Sequence, residues 1–188
     1  PYIVNGTFVS GTPNNLNDLG VNTYDVQEAY LPSEDGILAY GESTVQAPRY
    51  RLWNSTSLTW SSEFNASSVG GTIEWVQVAS CPIRDEYILV TADAANDVNV
   101  QINSSKTGAP CWHNGTTCGS VLELTTGSTT TDTKKIAVAY EQVSGEAIVV
   151  YSDNTDTPKY ARWNGTGWVV TAGSVSQTLT SGQVEWVI

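Results

Sequence analysis

The stretch Pro158–Trp168, PKYARWNGTGW, has an earlier echo at Pro48–Trp60, PRYRLWNSTSLTW. Tyr50 and Tyr160 are 110 positions apart, and so are Trp53 and Trp163. A phrase that recurs at a long fixed spacing is the signature of a repeat. The match extends on both sides. VQEAYLPSEDGILAYGE (Val26–Glu42) aligns with IAVAYEQVSGEAIVVYSD (Ile136–Asp153), and GGTIEWV (Gly70–Val76) aligns with TSGQVEWV (Thr180–Val187). NGTFVSG at Asn5 aligns with NGTTCGS at Asn114. The chain reads as somewhat under two copies of a unit of about 110 residues.

Each unit reads in turn as two weaker copies with one order of parts. An alternating segment leads through a polar turn to a β-branched run. An Asp/Asn-rich turn follows, then a third apolar segment, an Asn-Gly or similar turn, and a fourth. Alternation with Val, Ile, Tyr and Trp, punctuated by turn residues, predicts strands and hairpins. Asn-Gly predicts a type I′ turn with positive φ at both residues. No segment has helical periodicity. Four antiparallel strands in tandem predict an all-β chain of propeller-type blades, with a β-sandwich as the alternative. The expected division is a partial blade over 1–20, blades over 21–68, 69–130 (with a disulfide loop) and 131–175, and the first strand of a further blade over 176–188. Residues 26–60 and 136–168 are expected to form equivalent sheets.

Composition narrows the function. The 188 residues carry a formal charge of −11, which argues against nucleic acid and anionic membrane surfaces, since both need Lys and Arg on the protein. No apolar run reaches the ~18 residues that span a bilayer, so no membrane insertion is expected. The chain holds no Met and opens on PYIVNG, which reads as a processed product or a slice of a longer chain. Of three cysteines, Cys111 and Cys118 bracket CWHNGTTC, and a hairpin there would bring them within disulfide range. Cys81 is then buried or free. A zinc site from these cysteines with His113 lacks the usual ligand spacing.

Sequons occur at Asn5, Asn54, Asn65, Asn103, Asn114 and Asn164, several of them at the hairpin turn of the repeat, where a bulky glycan would stay outside the core. Trp53, Trp163 and Trp168 are candidates for stacking on a sugar ring. Asp93, Asn96 and Asp97, and Asp153, Asn154 and Asp156, place oxygen atoms on tight turns of the kind Ca²⁺ uses, but Asx turns account for them without a metal. No cofactor is expected. Catalysis finds little support. The single histidine lies in the cysteine loop, and Glu74 and Glu185 are repeat equivalents, which favours structural roles over a paired acid and base.

Repeats of the WNGTxW type, joined to IxWV and PxRDExILVTxD, resemble those of archaeal and bacterial surface proteins with tandem propeller-like modules. The Trp-polar-Gly-x-x-Trp hairpin more loosely resembles the blades of fucose-binding propeller lectins. The first resemblance implies an extracellular, cell-surface location, to which the sequons add glycosylation, and no enzyme is expected. The second implies a carbohydrate-binding adhesin, although the second strands ILAYGE, ILVTAD and IVVYSD lack the outward Arg of those lectins. The broken units at the two ends predict a homopolymer, a filament or surface layer, joined through Tyr2, Ile3, Val4, Val184, Trp186 and Ile188, with copies of the chain as partner.

Overall fold

The computed structural model describes residues 26–33, 35–42, 44–104, 111–128, 134–155, 157–171 and 173–178. They form three antiparallel sheets and no helix. The first sheet holds β1 (Val26–Tyr30), β2 (Gly36–Tyr40), β3 (Arg49–Asn54), β4 (Thr59–Trp60) and β5 (Phe64–Asn65). The second holds β6 (Ile73–Ser80), β7 (Tyr87–Asp93), β8 (Val98–Ser104), β9 (Cys111–His113) and β10 (Leu122–Thr125). The third holds β11 (Ile136–Tyr140), β12 (Ala147–Tyr151), β13 (Lys159–Trp163) and β14 (Gln177–Thr178). In each, three strands follow one another as a meander, and a fourth position, in two pieces, pairs with the third strand.

The registers make the repeat explicit. Tyr30 faces Gly36, which faces Trp53. Tyr140 faces Ala147, which faces Trp163. Ser80 faces Tyr87, which faces Asn103. Gly36, Tyr87 and Ala147 are therefore one structural position in three sheets, and Trp53, Asn103 and Trp163 are another. The expected equivalence of 26–60 and 136–168 holds strand for strand, and the middle sheet repeats it a third time. The fourth position also corresponds. Asn65 opposes Arg49 as Thr178 opposes Lys159, and Trp60 opposes Trp53 as Trp168 opposes Trp163. Gln177 and Thr178 thus belong to the third sheet, which runs past the boundary expected at 175.

The second sheet lies between the other two, and its central strands are buried on both faces. Alternate residues of β7 and β8 face opposite ways. Ile88, Val90, Ala92, Val98, Val100 and Ile102 pack on Ile136, Val149, Tyr151 and Trp163 of the third sheet. Tyr87 and Leu89, with Ile73, Val76, Val78 and Trp112, pack on Ile37 and Ala39 of the first. Two-sided burial is why ILVTA reads as an unbroken apolar run instead of an alternation. The first strands β1, β6 and β11 are neighbours, with β6 in the middle. The described residues close no ring or barrel. Their stacking is sandwich-like, as in the alternative drawn from the sequence.

Candidate functional site

The hairpin turns are built by asparagine side chains. Asn164 Oδ1 accepts the N–H groups of Thr166 (3.0 Å) and Gly167 (2.8 Å) and the Thr166 hydroxyl (2.9 Å). Asn114 Oδ1 accepts Thr116 N–H (3.1 Å), Thr117 N–H (2.9 Å) and the Thr116 hydroxyl (3.1 Å) in the same way. Asn54 Oδ1 accepts the N–H (2.7 Å) and hydroxyl (3.0 Å) of Ser57. These are Asx-type turns, not the expected type I′. In NGT only the glycine is at positive φ, at 84° for Gly165 and 109° for Gly115, because the asparagine closes the turn through its side chain from an ordinary backbone conformation.

Asn54, Asn65 and Asn164 are exposed, and Asn114 is half-buried. Asn103 differs: it lies half-buried inside β8, paired to Tyr87 on one side and Trp112 on the other. Asn5 and the expected joint residues Tyr2, Ile3, Val4, Val184, Trp186 and Ile188 lie outside the described residues, as do Asp156 and Glu185.

Cys111 and Cys118 are bonded, with Cα atoms 5.9 Å apart, and Cys81 is a buried free thiol. The disulfide clasps a hairpin in which His113 pairs with Cys118. His113 is fully buried. Its Nδ1 accepts the Gly115 N–H (3.0 Å), which leaves Nε2 as the donor to Ser104 Oγ (2.9 Å). That imidazole is a spacer under the loop, and no metal cluster of three or more His, Cys, Asp or Glu forms among the described residues. Asp93 turns inward, accepting the N–H groups of Ala95 (2.9 Å) and Asp97 (3.3 Å) and the Asn99 amide (3.2 Å). Burial, against the pull of these backbone N–H groups, pushes its carboxyl up to about 6. Asn96 and Asn154 hold positive φ later in turns whose side-chain acceptors are Asp93 and Asp153, a backbone conformation that asparagine tolerates better than most residues.

The three tryptophans proposed for stacking part company. Trp163 is fully buried in the seam between the second and third sheets, with no ring face open to a ligand. The expected stacking on a sugar ring is not open to it, because the neighbouring sheet covers the indole. Trp168 is half-buried, lies 5.5 Å from Trp163 between ring centres, and donates to the Asn114 carbonyl (2.9 Å). Trp53 remains partly open.

The seam around Trp163 carries a network that the sequence did not flag as a unit. Glu86 Oε1, buried, accepts from Arg84 Nη2 (3.0 Å), Tyr140 Oη (2.9 Å) and Trp163 Nε1 (3.0 Å). Arg84 Nη2 also donates to the Gly145 carbonyl (2.7 Å). Its guanidinium crowds Gly145 and Gly165, where a Cβ would come within 2.7 Å and 2.9 Å of it. Burial beside Glu86 holds the Tyr140 hydroxyl protonated, far above the usual phenol range. The available signal was the RDE triplet at 84–86, whose charges lie next to the apolar run ILVTA.

The seam between the first and second sheets uses the same positions and is open. It forms a cleft of about 330 Å³ lined by Leu31, Asp35, Gly36, Leu52, Trp53, Asn54, Asp85, Tyr87 and Asn103. Asn103 stands where Trp163 stands in the filled seam, and Ser80 where Tyr140 stands. The turns align as well: Leu31 N–H bonds the Asp35 carbonyl as Cys81 N–H bonds that of Glu86, and Glu141 N–H that of Glu146. Asp35 thus matches Glu86, and Asp85 matches Gly145. The turn after β1 is one residue shorter than the turn after β6 and offers no counterpart of Arg84. Asp35 Oδ1 is held by the Ser55 N–H (2.8 Å) and hydroxyl (3.0 Å). A further hollow of about 260 Å³, lined in part by Glu141, Glu146, Ala147, Ile148 and Arg162, repeats one wall of this cleft on the outer side of the third sheet.

The chain matches no protein-family profile and no curated protein sequence. Among solved structures it is similar to an exo-β-1,3-galactanase from Phanerochaete chrysosporium, at 16% identity and a TM-score of 0.43, over 79% of this chain. It spans 38% of the length of that structure.

Proposed function

We propose that this chain is an extracellular structural protein, glycosylated and non-catalytic, whose four-stranded sheets act as propeller-type blades that stack onto further copies of the chain. The observation that carries this reading is the inequality of equivalent faces. Ile37 is 1% exposed beneath the second sheet, whereas Ile148, its counterpart, is 37% exposed on the outer face of the third. Ile148 lies in a half-cleft with Arg162 and Glu146 that repeats a covered wall. A face patterned for a neighbour and lacking one among the described residues is suited to assembly. The Cys111–Cys118 bond fits an oxidising compartment. The exposed turns at Asn54 and Asn164 occupy one structural position. In each the asparagine oxygen is tied into the turn, which leaves its nitrogen for a glycan.

Two measurements on protein from its native source test the reading. Intact mass before and after enzymatic removal of N-glycans should fall, with the change mapped to Asn54 and Asn164. Sedimentation should show large homopolymers. An unmodified mass together with a monomer at high concentration refutes the proposal.

A further inference from the structure

We propose that the cleft between the first and second sheets receives the guanidinium of an arginine side chain presented by a partner protein, in the place that Arg84 takes in the neighbouring seam. Where the seam is closed, it is closed by three groups: the Trp163 indole, the Tyr140 phenol, and the Arg84 guanidinium held by Glu86 and the Gly145 carbonyl. In the open seam the first two are reduced to Asn103 and Ser80, and the third has no counterpart. The acceptors are kept and increased. Asp35 aligns with Glu86 and Asp85 with Gly145, and both line the cleft, so a second carboxylate joins the first. Among the described residues neither the Asp85 carboxylate nor the Asn103 amide has a hydrogen-bond partner. The cleft is therefore shaped and charged for the group it lacks.

The remaining walls suit arginine in particular. The half-buried Trp53 offers a π surface to a planar cation, and Leu31 and Leu52 can cover an aliphatic stem. A guanidinium reaches two carboxylates with a fork of donors that an ammonium lacks. The net charge of −11 draws cationic partners toward the surface. A neutral sugar could also use an indole beside carboxylates, so it is the competing outcome.

The test uses the unglycosylated chain, nitrogen-labelled, titrated with N-acetyl-arginine amide, N-acetyl-lysine amide and methyl glycosides. The arginine compound should give saturable shifts at the Trp53 indole N–H and the Asn103 amide. Asp85→Asn, or about 0.5 M NaCl, should weaken binding about threefold or more. Asn103→Trp, which installs the indole of the filled seam, should abolish the shift at Trp53. Should Asn103→Trp fail to fold, Asp85→Asn at an exposed side chain still decides. No saturable shift, an equal response to the lysine compound, indifference to Asp85→Asn, or a response to a glycoside in place of arginine each overturns the proposal. The inference is independent of self-assembly, since the titration can fail while the homopolymer forms.

Discussion

Asp93 shows how much one side chain can carry. It is buried at the end of β7 and fixes the turn to β8 by accepting three hydrogen bonds. Gly71 packs against it so closely that a Cβ there would come within 2.6 Å of the carboxyl. Burial raises the folded carboxyl to about 6, above the usual carboxylate range. The folded chain therefore binds this proton more tightly than the unfolded chain does. The resulting stabilisation is fully present below about pH 4 and is lost as the pH rises through about 6. Asp93→Asn keeps the acceptor oxygen and removes the titration. Between pH 7 and pH 4, the wild type should gain on the order of 1 kcal/mol relative to this variant in urea unfolding. A pH-independent difference would show that the carboxyl is solvated in the native state, and one of opposite slope that its hydrogen-bond donors outweigh burial.

At the scale of elements, the hairpin after β8 is the clearest local unit. It is clasped by Cys111–Cys118, pinned by the Asn114 turn, and seated on the buried imidazole of His113. Its Asn114 carbonyl receives the Trp168 indole N–H, so it also ties the second sheet to the third. Closing so short a loop contributes about 2 kcal/mol in the chain-entropy account. Replacing both cysteines by serine should lower the unfolding free energy by about that amount and leave the strand signal in circular dichroism intact. Loss of the strand signal would mean that the disulfide supports the sheets and not only the loop. The same scale explains why β7 and β8 hold the middle. β7 turns Tyr87 and Leu89 to the first sheet and Ile88, Val90 and Ala92 to the third, whereas β8 turns Val98, Val100 and Ile102 to the third and buries Asn99 and Gln101 on its other face, where Gln101 bonds Ser67.

The whole molecule poses the question of its outer faces. Ile148 and Arg162 on the third sheet repeat Ile37 and Leu52 on the first, yet have no described sheet over them. If that face mediates assembly, Ile148→Asp should leave a folded chain that no longer polymerises, read by sedimentation alongside circular dichroism. Deleting Gln183 to Ile188 should have the same effect if the carboxy-terminal segment lies at the joint. Polymerisation that survives both changes would place the contact elsewhere.

What the sequence determined by itself was the local order. The 110-residue spacing, the alternation and the Asn-centred turns are enough to set strands, hairpins and their antiparallel register, because cross-strand pairing depends on neighbours only a few residues away. The disulfide was legible for the same reason: a hairpin brings Cys111 and Cys118 together without help from the rest of the chain. Only the tertiary structure decided which equivalent residues differ in fate. Trp53 and Trp163 share a motif, a register and a hairpin, but the second sheet encloses one and leaves the other beside a cleft. That difference arises from Arg84, Glu86 and Asn103, which lie far from both tryptophans in sequence. The turn type also escaped the sequence, because an asparagine oxygen bonding across the turn relieves the backbone of the positive φ that a type I′ turn would demand. Periodicity records which side of a strand points inward, and burial depends on what another part of the chain brings against it.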